Sequence, residues 1–314
     1  MIRRVLVTGA SGFVARALFS RKLPAYDYVA ASRHPVLFDQ TAWTKSPNLS
    51  GSADWGSALE GVDCVIHLAG RAHLGRDSAS SSYFVENCEG TIKLALDAHA
   101  AGVRHFVFLS SAKVLGDESG PVALGESAPA RPGDPYAASK FAAEEELRRL
   151  SGDMRVTILR PPLVYGPGVK ANFLALLSAV ARGIPLPLAS IRNRRSLIGV
   201  DNLASAIFAC VESPGSEGRT FNVTDGAPLS TPDLVRSIAS ALGKPSRLFA
   251  FPSKLLEACG AAIGRQETIK RLTRSLELDD SAIRAELGWR GARTFSAGIA
   301  DTAKWYEALY GRAG

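Results

Sequence analysis

The stretch that decides the fold is Val5-Leu6-Val7-Thr8-Gly9-Ala10-Ser11-Gly12-Phe13-Val14-Ala15. Val5 to Val7 read as a buried strand, and a helix is predicted from Gly12 to Leu23. Between them lies a glycine turn in the strand–turn–helix setting that a dinucleotide motif requires. Gly9 allows the tight turn, and Gly12 lets the backbone approach a pyrophosphate. Ala15 stands where a third small residue packs helix against strand. The helix N-terminus then offers unpaired N–H groups and the positive end of its dipole to phosphate oxygens.

Working outward, the first half repeats this alternation. Further strands are predicted at Tyr28–Ala31, Asp63–Leu68, His105–Leu109 and Arg155–Leu159. Between them, a helix is predicted from Tyr83 to Ala101, closed by Gly102, and another from Tyr136 to Leu150 with Glu144 to Glu146 exposed. Continuous apolar strands alternating with helices imply a parallel sheet covered on both faces. The second half is less regular. Helices are predicted over Phe173–Arg182, Val200–Glu212, Thr231–Leu242 and Ser281–Leu287, with a short strand at Phe221–Val223. The expected class is α/β: a Rossmann-like doubly wound parallel sheet over residues 1–165. Residues 196–212 return to it, and a smaller substrate-binding domain spans 166–314, with the turn-rich Tyr165-Gly166-Pro167-Gly168 at the junction.

Composition narrows the function. The chain has 314 residues, 46% apolar and 21% charged, which excludes a disordered or fibrous protein. Its net charge of +7 suits a small anionic ligand. The one basic cluster, Arg192, Arg194 and Arg195, has no interleaved aromatics, so nucleic acid is not an expected partner. Cys64, Cys88, Cys210 and Cys259 form no CxxC pair, so neither a disulfide framework nor a metal site is expected. The N-terminus has too short an apolar run for a secretory leader, and no run is long enough to span a membrane. A cytoplasmic location without a membrane partner is expected.

Two further patterns carry chemistry. The second strand ends Ala30-Ala31-Ser32-Arg33-His34, with no acid before Asp39. An acid there binds the free ribose hydroxyls of NAD, whereas an arginine accommodates the 2′-phosphate of NADP. Ser32 and Arg33 therefore favour NADP(H), with NAD(H) as the alternative. Asp54 suits the adenine amino group. Tyr136 and Lys140 lie four apart on one helix face, and Ser110-Ser111 end the fourth strand, where a parallel sheet opens its ligand crevice.

On these residues the chain resembles the extended branch of the short-chain dehydrogenase/reductase superfamily, in particular the NAD-dependent epimerase/dehydratase family of sugar-nucleotide enzymes. The likeness covers nearly the whole chain. It runs through the glycine motif at 8–15, Val65-Ile66-His67-Leu68-Ala69-Gly70, Asn87-Cys88-Glu89-Gly90-Thr91 and Leu109 to Gly116. It continues through Tyr136/Lys140, Arg160 to Gly168, Arg195 to Asn202 and Glu286-Leu287-Gly288-Trp289.

The resemblance implies roles. Tyr136 is the acid/base on the reacting oxygen. Lys140 holds the nicotinamide ribose and favours the phenolate, and Ser111 hydrogen-bonds the reacting oxygen. Gly9, Ser11, Gly12, Phe13, Val14, Ser32, Arg33, Asp54, Leu68, Ala69, Gly70, Asn87, Pro162 and Val164 line the cofactor site with Tyr136 and Lys140. Arg195 contacts the nucleotide diphosphate, although Ser196 stands where the family usually has Asp. Asn172, Lys113 and, as a second phosphate ligand, Arg271 or Arg274 are further substrate contacts.

Dehydratases of the family carry an Asp-Glu pair after the catalytic Ser/Thr. Here Ala112 and Lys113 occupy those places, which disfavours elimination. The chemistry implied is NADPH-dependent reduction of a 4-keto-6-deoxy sugar on UDP in surface-polysaccharide synthesis. The alternative is 4-epimerisation of a UDP-hexose or UDP-N-acetylhexosamine with bound NAD. A non-catalytic dinucleotide-sensing regulator is the reading of another class; such proteins lose the Tyr/Lys pair, and this chain keeps it. A homodimer through the helices at Tyr83–Ala101 and Tyr136–Leu150 is also implied.

Overall fold

The computed structural model describes residues 2–72, 81–150, 152 and 154–311. The chain opens with β1 (Arg4–Thr8), α1 (Phe13–Ser20), β2 (Asp27–Ser32), β3 (Thr41–Lys45) and β4 (Cys64–His67). There follow α2 (Ser81–Phe84), α3 (Gly90–Ala100), β5 (His105–Leu109), α4 (Pro135–Leu150) and β6 (Arg155–Arg160). Next come β7 (Leu163–Tyr165), α5 (Ala171–Ala181), β8 (Leu197–Gly199), α6 (Val200–Glu212) and β9 (Thr220–Asn222). Five helices complete the chain: α7 (Thr231–Ala241), α8 (Ser253–Ala262), α9 (Gln266–Thr273), α10 (Ser281–Leu287) and α11 (Phe295–Tyr310).

Seven strands form one parallel sheet in the order β3-β2-β1-β4-β5-β6-β9. The strand side chains alternate between two cores. Val5 and Val7 of β1 join Leu203, Ile207 and Phe208 of α6 on one face, while Leu6 joins Leu94 of α3 and Leu147 of α4 on the other. Because β2 and β4 lie on opposite sides of β1, the strand order reverses there, and the carboxyl ends of β1 and β4 open a crevice.

Several expectations are adjusted. The first helix ends at Ser20 rather than Leu23. The stretch from Tyr83 to Ala101 is not one α-helix: α2 passes through a π-helical turn, Val85–Glu89, into α3. Gly102 then turns the chain with φ +79°, and the Val103 N–H bonds back to the Ala98 carbonyl at 2.9 Å. After Glu212 the chain adds β9 to the sheet beside β6. Strand β3 and helices α8, α9 and α11 were not read from the sequence.

Glu144 is not exposed. It is fully buried, because α4 turns this position onto the sheet. Its carboxylate accepts from Arg160 Nη2 at 2.5 Å, Arg148 Nη2 at 2.8 Å and the Ser110 hydroxyl at 2.5 Å. Buried charge is tolerated where it is paired and hydrogen-bonded.

A separate apolar core gathers Phe173, Leu177, Val235, Ile238, Ile299 and Ala303 from α5, α7 and α11. It meets the sheet region through the β7–β8 pair, where Asp225 accepts from Tyr165 Oη, the Gly199 N–H and Asn202 Nδ2.

Candidate active site

A cleft of about 600 Å³ lies over the carboxyl ends of β1 and β4. Its walls include Gly9, Ser11, Gly12, Ser32, Arg33, Leu68, Ala69 and Gly70. The turn between β1 and α1 is set by backbone contact. Gly9 has φ +67°, and a Cβ there would lie 2.7 Å from the Ala69 nitrogen. At α1 the N-cap is Gly12, so no side chain caps the first N–H groups. Those donors are left for a ligand at the helix end. Phe13 and Val14 pack into the apolar cores behind the turn.

A buried hydrogen-bond chain holds both loops of the crevice. The Ala69 N–H donates to Thr8 Oγ1 at 3.3 Å, and Thr8 Oγ1 lies 2.7 Å from His67 Nδ1. His67 Nε2 lies 3.0 Å from Thr91 Oγ1, whose hydroxyl donates to the Asn87 carbonyl at 2.8 Å. Since the Thr91 proton is used on Asn87, His67 Nε2 must donate to Thr91 and Nδ1 must accept from Thr8. The donors and acceptors thus match a neutral imidazole. Burial, and then the charge of Lys140, lowers the His67 pKa to about 3. Asn87 continues the network: its amide donates to Ser139 Oγ and the Arg71 carbonyl at 3.0 Å and accepts from the Arg71 N–H at 2.7 Å.

At the far end of β2, the Ser32 hydroxyl donates to the His34 carbonyl at 2.6 Å and accepts from Trp43 Nε1 at 3.0 Å. Its proton is therefore engaged within the protein, and Arg33 is an exposed cation at this end, as is Lys45 opposite Ser32 on β3. Asp54 is exposed and accepts from the Gly56 N–H at 3.0 Å. Its neighbour Trp55 lines the cleft; the indole is fully buried, and its N–H has no partner among the described residues. An unpaired buried donor in a cleft wall is costly unless a ligand meets it. Trp55, the segment Ser46–Leu49, and Ser81, Ser82, Val85 and Glu86 also line the cleft and were missed. Only the orphan indole carries a signal of its own, and it is visible only once the fold is known.

The catalytic candidates lie on α4 and the loop after β5. Ser111 caps a 3-10 turn, Ala112–Leu115, and its Oγ accepts from the Lys113 N–H at 3.3 Å. Burial pushes Tyr136 up to about 12; the Ser111 hydroxyl opposes this, while Asp134 and Tyr83 add to it. The Tyr83 ring meets Tyr136 edge-on, with centroids 6.0 Å apart. Lys140 is almost fully buried. Its Nζ donates to the Leu109 carbonyl at 3.0 Å and lies 4.5 Å from the centre of the Phe108 ring. Burial brings its pKa down to about 8, against the pull of Glu144. A Cβ on Gly70 would lie 3.3 Å from Lys140 Nζ, which joins the lysine to the dinucleotide cleft. Pro162 is buried, and Val164 on β7 is half-buried against the sheet core.

Lys113 pairs with Asp134 and lies 3.4 Å from Asp117. Asp134 also accepts from the Ala137 N–H at 2.8 Å, at the start of α4. Burial works against its charge, but Lys113, the Ala137 N–H and Arg271 outweigh it and hold the carboxyl below the usual range. Arg195 donates from Nη1 to the Arg274 carbonyl at 3.0 Å. Burial and the like charge of Arg271 bring it down to about 10, while Asp117 opposes them. Arg195, Arg271, Lys113 and Asp117 thus belong to one neighbourhood. Asn172 stands apart, exposed on the first turn of α5, next to Ala171 with a left-handed φ of +53°.

Fold and site together define a dinucleotide-dependent enzyme built on a Rossmann-like sheet. The chain belongs to the NAD dependent epimerase/dehydratase family, which it matches over residues 5–224, and so to the extended short-chain dehydrogenase/reductases. It is 37% identical to a UDP-glucose 4-epimerase of Vibrio cholerae, over 97% of this chain and 95% of that one. Among solved structures it resembles a short-chain dehydrogenase/reductase superfamily protein from Agrobacterium tumefaciens with bound NAD. There the TM-score is 0.80 at 21% identity, over 99% of each chain. It also resembles the UDP-glucuronic acid 4-epimerase of Bacillus cereus in complex with NAD. In that case the TM-score is 0.79 at 21% identity, over 98% of this chain and 99% of the other.

Proposed function

We propose that the chain is a 4-epimerase of a UDP-hexose or UDP-N-acetylhexosamine that keeps its nicotinamide dinucleotide bound. The observation that carries this reading is the pair Tyr136 and buried Lys140 on α4, with Lys140 Nζ beside Gly70 in the wall of a cleft shaped for a dinucleotide. The cleft fits such a group: a Cβ at Gly9 would collide with its wall, the end of α1 is uncapped, and the Trp55 N–H lacks a partner among the described residues. Gly9 to Val14, Ser32, Arg33, Leu68 to Gly70 and Asn87 would hold it, with Lys140 toward the nicotinamide ribose. When bound, a nicotinamide supplies reversible uptake of hydride from a carbinol carbon.

The chain's own residues manage the proton. Tyr136 is protonated at neutral pH in the ligand-free protein. The Ser111 hydroxyl favours its phenolate, and with Lys140 on the same helix Tyr136 can take the proton of the sugar 4-hydroxyl. It returns that proton to the same oxygen after the sugar ring has turned. Ser111 orients that oxygen. Arg195 and Arg271 receive the diphosphate, with Lys113 at the rim. Elimination is unsupported: Ala112 has no proton to give, and Lys113 is tied to Asp134.

The 37% identity to the Vibrio epimerase supports this reading over 4-keto reduction. Reduction with NADPH is the second reading, supported by Arg33 and by the lack of an acid at the end of β2. A homodimer through residues 83–101 (the end of α2 through α3) and α4 belongs to the proposal and is supported by the exposure of Phe84 on α2 and Leu96 on α3. The test is to purify the protein, denature it and identify the nucleotide released. Near-stoichiometric NAD supports the epimerase. An empty protein that binds NADPH more tightly than NADH transfers the assignment to the reductase.

A further inference from the structure

Helix α8 turns its apolar side to solvent. Leu255, Ala258, Cys259, Ala262 and Ile263, at spacings of three and four, are all exposed, Leu255 at 55% and Ile263 at 69%. The opposite face is the packed one. Leu256 and Gly260 are buried, and a Cβ at Gly260 would lie 2.5 Å from Ile269 on α9. A surface helix ordinarily directs its apolar stripe inward. Here only half of that stripe faces the core.

The charge around this face is also unlike the rest of the molecule. Residues 244–274 hold seven Lys and Arg against two Glu, a net +5, while the whole chain carries +7. Elsewhere basic side chains are commonly paired, as in Arg160–Glu144, Arg194–Glu277 and Arg284–Asp280. Among the described residues, Lys244, Arg247, Lys254 and Arg265 have no ion pair, and all four are exposed. Lys254 precedes Leu255, and Arg265 follows Ile263 by two positions.

The patch extends beyond α8. The Leu186 N–H donates to the Arg247 carbonyl at 2.8 Å, and the Phe249 N–H donates to the Leu186 carbonyl at 3.1 Å. This pairs Leu186 with Leu248 and leaves Phe249, 46% exposed, four residues before α8 begins.

Apolar side chains flanked by unpaired cations complement a surface with anionic headgroups above acyl chains. We infer that the outer face of α8, with Lys254, Arg265, Arg247 and Phe249, docks the enzyme on an anionic lipid bilayer. This is attachment in the plane of the surface; no helix among the described residues is long and apolar enough to cross a membrane. It does not depend on which sugar reaction the cleft performs.

The test is co-sedimentation of the full chain with vesicles of phosphatidylglycerol and phosphatidylcholine, and with phosphatidylcholine alone. The protein is expected to pellet with the anionic vesicles and to be released by high salt. The variant Lys254→Glu/Arg265→Glu should lower the partition coefficient at least about tenfold. Leu255→Gln/Ile263→Gln should also lower it, and both variants should retain wild-type melting and turnover of soluble substrate. Absence of the native protein from the anionic pellet overturns the inference. So does equal binding by the wild type and both variants. If Leu255→Gln/Ile263→Gln instead splits a soluble oligomer, with no vesicle binding by the wild type, the face belongs to a second copy of the chain.

Discussion

The dinucleotide crevice and the arginine neighbourhood around Arg195 both bind anions on this account, yet they are built differently. The crevice is backbone. Its donors are the uncapped N–H groups of α1, its shape is set by Gly9 against Ala69, and its support is the buried chain Thr8–His67–Thr91. The arginine neighbourhood is side chain. Arg195 leans on a single carbonyl, Lys113 is shared between two acids, and Arg271 is exposed. A backbone site admits few alternatives and is rigid. A side-chain site can change its specificity by single substitutions. One fold can thus keep a fixed cofactor chemistry while its sugar preference varies.

The contrast can be broken first where burial is deepest. Removing Glu144 leaves Arg160 charged and unpaired beneath the sheet, so Glu144→Ala should cost about 3–5 kcal/mol in urea unfolding. A loss below about 1 kcal/mol would mean that water relieves the arginine, and the buried half would be softer than described.

Next comes the neutrality of His67. Its folded pKa, about 3, lies below the unfolded value of about 6.5, so only the unfolded chain takes up a proton between them. Stability is therefore lost as pH falls through this window, by about 2 kcal/mol between pH 6.5 and pH 5. His105, lowered to about 4 by burial, adds a loss of the same sign. His67→Gln should remove its own share, measured as a smaller difference between urea midpoints at pH 7 and pH 5. An unchanged difference would show that the imidazole is not held neutral.

The side-chain region should respond through affinity. Arg195→Met is expected to raise the KM for the UDP-sugar about tenfold, with a smaller change in kcat and unchanged dinucleotide binding. A fall in kcat alone would move Arg195 from substrate binding into the chemistry. The smallest effect is expected at the surface pair Arg194–Glu277, which is bidentate but open to water. Glu277→Gln should leave the melting temperature within error, since solvent screens such pairs.

The same contrast explains what the sequence disclosed. Strands β1, β2, β4, β5 and β6 are covered on both faces, so each is a continuous apolar run that can be recognised without its neighbours. Thr41–Lys45 is an edge strand with exposed side chains, and Thr-Ala-Trp-Thr-Lys carries no such run. Glu144-Glu145-Glu146 reads as a solvated charge cluster. What buries Glu144 is Arg160, sixteen positions on and brought beside it by the sheet. The glycine loop and the Tyr136/Lys140 spacing were legible because local geometry demands them. Trp55 was not, since its orphan N–H exists only in the folded chain.

The most direct test of the central claim is the interconversion of UDP-glucose and UDP-galactose, and of their N-acetylhexosamine counterparts, by the purified enzyme and by Tyr136→Phe. The account predicts that the wild type brings a pair to equilibrium without net consumption of added NADH or NADPH. It also predicts that Tyr136→Phe slows this by about 10²–10⁴-fold while retaining its dinucleotide. Wild-type turnover in Tyr136→Phe would contradict the assigned proton path. Stoichiometric consumption of NADPH on a 4-keto sugar, with no interconversion of any pair, would contradict the epimerase.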